Sequence, residues 1–137
     1  MPQSKSVEIV KNYYNFFNKK DYPGMLSLLS PDVVHYISQG DAQKGLDAFA
    51  SFLKHMDRHY DEKLDEFTFM SSEDGQHIAT RFSCHGTYLV TDEPLPPAKN
   101  QKYSIPVGAF FEIKNEKITR IDNHYNLTEW VRIIQSQ

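Results

Sequence analysis

Cysteine is almost missing from this chain: Cys84 stands alone among 137 residues, so no internal disulfide can form and the fold must rest on its apolar core. A single thiol fits a reducing compartment. Long apolar runs are missing too, since none approaches the ~20 residues that span a bilayer. The opening MPQSKSVEIVKNYY lacks the continuous apolar stretch of a secretory signal. A soluble, cytoplasmic protein with no membrane partner is expected. Positive charge is not in excess, with 15 Lys and Arg against 18 Asp and Glu and a net charge of -3. Such a surface has no broad attraction for a polyphosphate backbone, so nucleic acid is not an expected partner. Repeats, low-complexity stretches and linkers do not occur, and the length suits one domain spanning residues 1–137.

Aromatic side chains are plentiful. Nine Phe and eight Tyr, within 39% hydrophobic residues, can fill one core. Between Ser6 and Asn18, Val10, Tyr13, Tyr14 and Phe17 recur at helical spacing and predict an amphipathic helix. Asp21 is suited to cap a second, short helix with Pro23 in its first turn, ending near Ser30-Pro31. Val33 to Ser38 reads as a short edge strand, and Lys44 to Tyr60 as a third helix carrying Leu46, Phe49, Leu53 and Met56 on one side.

The period then changes to two. Phe67 and Phe69 precede the turn Ser72-Glu73-Asp74-Gly75, and a long strand follows from His77 to about Thr91 with Ile78, Thr80, Phe82 and Cys84 on one face. The proline-rich stretch DEPLPPAKNQ reads as a loop, and Tyr103–Lys114 with Lys117–Asn126 as a second hairpin turning at Asn115-Glu116. Asn126 with Glu129 forms a capping-box pattern for a last helix. Helices grouped early and antiparallel strands grouped late predict an α+β fold, with a hollow between curved sheet and helices as a place for a small ligand.

Three stretches, YYNFFNKKDYPGMLSLLSPDVVHYI, KGLDAFASFLKHM and HGTYLVTDEPLPPAKNQKYSIPVGAFFEIKNEKITRIDNHYNLTEW, resemble the nuclear transport factor two-like superfamily, in particular its SnoaL-like and ketosteroid isomerase-related members. The resemblance covers nearly the whole chain. It implies a cone-shaped, cystatin-like α+β fold in which three N-terminal helices wrap a strongly curved antiparallel sheet and a short C-terminal helix closes the chain. It also implies a homodimer paired through the convex sheet, and a cofactor-free pocket for a small hydrophobic molecule.

The superfamily hosts isomerases, cyclases, hydrolases and binding proteins, so the site must choose among them. In the isomerases a carboxylate moves the proton while a tyrosine and a protonated aspartic acid bind the oxyanion. By motif the tyrosine corresponds to Tyr13, eight residues before Asp21. The base corresponds to Ile37 and the aspartic acid to Ala109. Two of the three groups are therefore replaced, which argues against the standard steroid isomerase route. The carboxylate that works on the last strand of related cyclases corresponds to Asn123.

His35, two residues before Ile37 and so on the same face, is the candidate replacement base, with Tyr13 polarising a ligand carbonyl. Asn123 and Tyr125 share one face of the last strand and Asp122 and His124 the other; the first pair is expected inward unless a bulge exchanges the faces. Ile37, Phe52, Met56 and Phe82 complete the expected ligand contacts. His55 and His59 have metal-ligand spacing, but HMDRH lacks the glutamate of HExxH and shows no third ligand, so a solvated helix face and no metal are expected. Cys84 has no nucleophile motif and reads as a small buried hydrophobe. The leading expectation is proton transfer next to a carbonyl. The alternatives are a non-catalytic ligand carrier or sensor, and a protein-interaction module.

Overall fold

In the computed structural model, which describes residues 2–38 and 40–137, helix α1 runs Pro2–Asn18 and α2 Tyr22–Ser27. The Asp21 carboxylate accepts from the Gly24 N–H at 3.0 Å, capping α2 as its sequence requires. Strand β1 follows at Leu29–Tyr36, earlier and longer than the residue pattern suggests, and Pro31 lies inside it. Nor is β1 the edge. Gln43–Lys44 fold back as a short β2, antiparallel to Val34 and His35, and cover it. Proline at Pro31 is tolerated because this pairing leaves the first half of β1 without a β2 neighbour.

Helix α3 spans Leu46–His59. Its start falls after Gly45, whose φ of 90° no helix continues. Its end falls at Tyr60, whose extended backbone opens β3, Tyr60–Ser71. β4 (His77–Tyr88), β5 (Gln101–Lys114), β6 (Lys117–Tyr125) and α4 (Leu127–Gln135) complete the chain. The six strands form one sheet in the order β2-β1-β6-β5-β4-β3, antiparallel except where β1 runs beside β6. Asn115 and Glu116 both take positive φ, 51° and 60°, as a two-residue turn between right-twisted strands demands. Among the described residues no helix is long and apolar enough to cross a membrane.

Three register shifts bend the sheet: one in β1 between Leu29 and Val34, and two, in β3 and β6, that set which of their side chains face inward. In β3 the register shifts between Asp65 and Thr68, with Glu66 at φ 58°. Tyr60, Glu62 and Leu64 therefore face inward before it, and Phe67 and Phe69 after it. The charged first half of β3 hides this inward row, so the sequence suggests only the Phe67–Phe69 half. In β6 a bulge falls between Ile118 and Arg120, upstream of Ile121. Ile118 and Ile121 are both fully buried, and Asn123 continues on the inner face. The inner surface is packed with rings: Tyr14 meets Phe67, Phe82 and Phe111 at centroid distances of 4.9, 5.0 and 5.8 Å.

Candidate functional site

His35 is the polar group most completely enclosed by this architecture, at 1% exposure on the inner face of β1. Its Nε2 lies 2.9 Å from Asn123 Nδ2 and its Nδ1 3.3 Å from Gln43 Oε1. The Asn123 amide thus donates to Nε2, and Nδ1 carries the proton and donates to Gln43. Strand β6 supplies the first partner and β2 the second. Phe49 and Phe52 of α3 pack on the imidazole at 5.0 and 4.7 Å. Burial lowers the His35 pKa to about 4, against the opposing influence of Gln43 and Asp122, so the ring is neutral at pH 7 with an unprotonated Nε2.

Tyr13 is brought to the same region without touching His35 directly. Phe49 stands between them, 6.4 Å from Tyr13 and 5.0 Å from His35. Tyr13 also packs edge-on against Phe111 and against Tyr14, at 5.4 and 5.1 Å. Burial pushes both phenols well above the ordinary tyrosine range, so both remain hydrogen-bond donors. Phe82 lies deep beneath Tyr14, and Phe52 and Ile37 are half-buried near His35, but half-buried Met56 lies further along α3 beside Tyr22, Tyr60 and Glu62 and is not brought to this group. Tyr125 stays 37% exposed at the end of β6. Asp122 and His124 project from the opposite face, where Asp122 takes both a 2.8 Å and a 3.0 Å bond from Arg120.

The row Asn123, Ala109, Thr80 crosses three neighbouring strands in register. Ala109 adds only a methyl to its centre. At one end, the Thr80 hydroxyl is buried without a hydrogen-bond partner among the described residues, as is the Tyr14 hydroxyl above the same sheet face. A buried hydroxyl left unpaired costs about 1–3 kcal/mol, so two of them beside one another's packing cluster mark a polar position in an otherwise apolar interior. Sequence reasoning overlooked both. Tyr14 reads as one ring of an apolar stripe, although a lone Thr within Ile78-x-Thr80-x-Phe82-x-Cys84 is a usable signal for Thr80.

Glu62 was also hidden. It points inward from β3 and accepts from the Tyr103 hydroxyl at 2.6 Å. Burial raises its pKa, with Tyr103 and Cys84 pulling the other way. Tyr103 reaches it across Gly86, where any added Cβ would collide with the tyrosine ring. This pair lies under α4, about six residues along β5 from Ala109, and so at the far end of the cone from His35. The structure separates it from the Tyr14, Thr80 and His35 group.

A SnoaL-like domain profile matches residues 10–121. The chain belongs to the SnoaL-like domain family. Among solved structures, a candidate polyketide cyclase of Xanthomonas campestris pv. campestris is 38% identical, with TM-score 0.95 over 98% of this chain and 99% of that one. A candidate polyketide cyclase of Pseudomonas putida KT2440 is 46% identical, with TM-score 0.92 over 94% and 97% of the two chains. An LEH-like epoxide hydrolase of M. tuberculosis, 14% identical with TM-score 0.77 over 98% of this chain and 92% of that one, shares the fold alone. No curated protein matches. This SnoaL-like domain therefore has the cone fold of the nuclear transport factor two-like superfamily, as its motifs suggest.

Proposed function

We propose that this SnoaL-like domain binds a small hydrophobic carbonyl compound against the inner sheet face and moves a proton at the carbon next to the carbonyl. The observation that carries the reading is the pair of unpartnered buried hydroxyls, Tyr14 and Thr80. A ligand oxygen accepting from both would recover hydrogen bonds that the packed interior withholds. Half-buried Phe52, packed on His35 from α3, is the side chain that yields on entry.

In the chemical step His35 Nε2 takes the proton from the α-carbon, and the electron pair moves onto the carbonyl oxygen held by Tyr14 and Thr80. Tyr13, beside Tyr14, supports the phenol donor through packing. Return of the proton to a different position completes an isomerisation and to the same position an exchange; neither needs a cofactor. Asn123 must turn aside from Nε2 for this to happen. A base with a conjugate acid near 4 is weak, yet carboxylates in the same range serve related isomerases. The two candidate polyketide cyclases support the substrate class, since polyketide chemistry proceeds through carbons adjacent to carbonyls.

1-Tetralone in D2O tests the reading, because enolisation places deuterium at its C2, visible by proton NMR. Protein-dependent exchange that falls at least about a hundredfold in His35→Gln is the expected result, a loss in the usual range for a general base. An unchanged rate in the variant removes His35 from the mechanism. The hydrogen bond from Asn123 to Nε2 favours a second reading, ligand carriage without turnover. Saturable tetralone binding with no exchange is its signature.

On the convex face Met70 and Phe110 stay 55% and 54% exposed and border a groove of ≈ 390 Å³. That supports a homodimer paired through this face. Light scattering should give twice the chain mass, and Phe110→Glu half of that; a monomeric parent protein would contradict it. A cytoplasmic setting fits the buried, unpaired Cys84.

A further inference from the structure

The loop between β4 and β5 supplies what the HMDRH segment lacks. Asp92 comes to the C-terminal turns of α3, where its Oδ2 lies 2.9 Å from His55 Nε2. His59 stacks beside His55, ring centroids 4.4 Å apart. One ligand atom from each of His55, His59 and Asp92 falls within 4.8 Å of the others. We propose that these three residues form a zinc-binding site that clasps the loop 89–100 to the end of α3.

Two imidazoles and one carboxylate are a zinc donor set, and three protein ligands leave a fourth position for water or a ligand oxygen. The supporting hydrogen bonds are already in place. His59 Nδ1 donates to the Val90 carbonyl at 2.9 Å, which leaves Nε2 unprotonated with its lone pair available. Metal-binding histidines are oriented in this manner by a backbone oxygen. Asp92 is fixed twice, by the Tyr60 hydroxyl donating to Oδ2 at 2.7 Å and by its own N–H donating to the fully buried Tyr88 hydroxyl at 2.8 Å. Leu89 N–H bonds the His59 carbonyl at 2.8 Å, so loop and helix are joined on either side of the cluster. A helix face carrying two histidines only for solvation would not need a carboxylate held against them by Tyr60 on a backbone anchored to Tyr88. The site is independent of the inner face around His35 and takes no part in the chemistry proposed there.

Titration of the metal-free protein with zinc, followed by calorimetry, is the test, with cobalt as a spectroscopic stand-in. One zinc per chain with micromolar or tighter affinity, cobalt absorption of low-coordinate type, and a raised unfolding temperature are expected. His59→Gln and Asp92→Asn should each weaken binding at least about tenfold. His55 is exposed, so His55→Gln repeats the test without risk to folding, and circular dichroism checks all three variants. No binding at millimolar zinc overturns the site, as does affinity unchanged in these variants. Loss of binding in His85→Gln instead would place the ion on the separate Asp65, Glu66 and His85 cluster and equally overturn it.

Discussion

Phe49→Ala is expected to destabilise the protein by about 3–5 kcal/mol, the range for removing a buried phenylalanine from a core that cannot collapse. Phe49 is 1% exposed and its ring separates Tyr13 from His35, with Phe52 5.9 Å away. The surrounding groups are held by the sheet on one side and by α1 on the other, so a cavity should persist between them. A cavity of that kind is apolar and accepts a small aromatic guest. Urea unfolding of the variant with and without toluene measures both effects, and toluene should restore part of the loss. A cost below about 1 kcal/mol would mean that the interior closes over the gap, which is incompatible with a rigid cone around the candidate site.

The second large effect is a pH dependence of stability centred on His35. Its pKa falls from 6.5 to about 4 on folding, chiefly because burial disfavours the imidazolium. Between those values the unfolded chain binds the proton and the native protein does not, so acid favours unfolding. Stability from this group is complete above about pH 6.5, declines as pH falls, and is exhausted below about pH 4. Each unit corresponds to about 1.4 kcal/mol, so the whole window is worth about 3 kcal/mol. Carboxylates also titrate in this range, and the difference between the parent protein and His35→Gln isolates the imidazole. The variant should lose about 3 kcal/mol less between pH 7 and pH 4. Parallel curves would show that His35 is not held neutral in the native state.

Elements whose boundaries depend on local chemistry were legible in the residues. The Asp21 and Asn126 caps, the Asn115-Glu116 turn and the inward set Ile78, Thr80, Phe82 and Cys84 all follow from side-chain type and period. Likewise, Asn123 lies inward as alternation from Ile121 requires. What could not be read depends on the encounter of distant segments. Glu62 lies in YDEKLDEF, which as a string looks solvated, and only pairing of β3 with β4 from Tyr60 onward turns it inward. Asp92 belongs to a loop without periodicity, and its approach to His55 is set by bonds from Tyr60 and Tyr88. The edge position assigned to β1 failed because two residues beyond its turn, Gln43 and Lys44, pair with it at a length too short to leave a pattern.

The candidate site shows the same division. Motif position leads to Tyr13 and His35, and both are buried near one another with Phe49 between them. Motif position cannot reveal that the Tyr14 hydroxyl is buried without a partner, since that depends on how α1 settles onto Phe67, Phe82 and Phe111. The Tyr14 hydroxyl is fully buried without a partner among the described residues, and Thr80 is its counterpart on the sheet. Polar groups left unsatisfied in a core lower stability, and retaining them suggests use by a ligand.

Tyr14→Phe therefore gives the most direct test. Removing a hydroxyl that has no partner should leave the ligand-free protein as stable as before or more stable, by up to about 1 kcal/mol, while weakening 1-tetralone binding at least about fivefold, the equivalent of a single hydrogen bond. Calorimetric titration with tetralone alongside thermal unfolding reads both in one pair of proteins. Opposite signs in the two measurements are the predicted result. A variant that binds tetralone as tightly as its parent, or a parent that does not bind it at all, would contradict a ligand oxygen held at Tyr14 and Thr80.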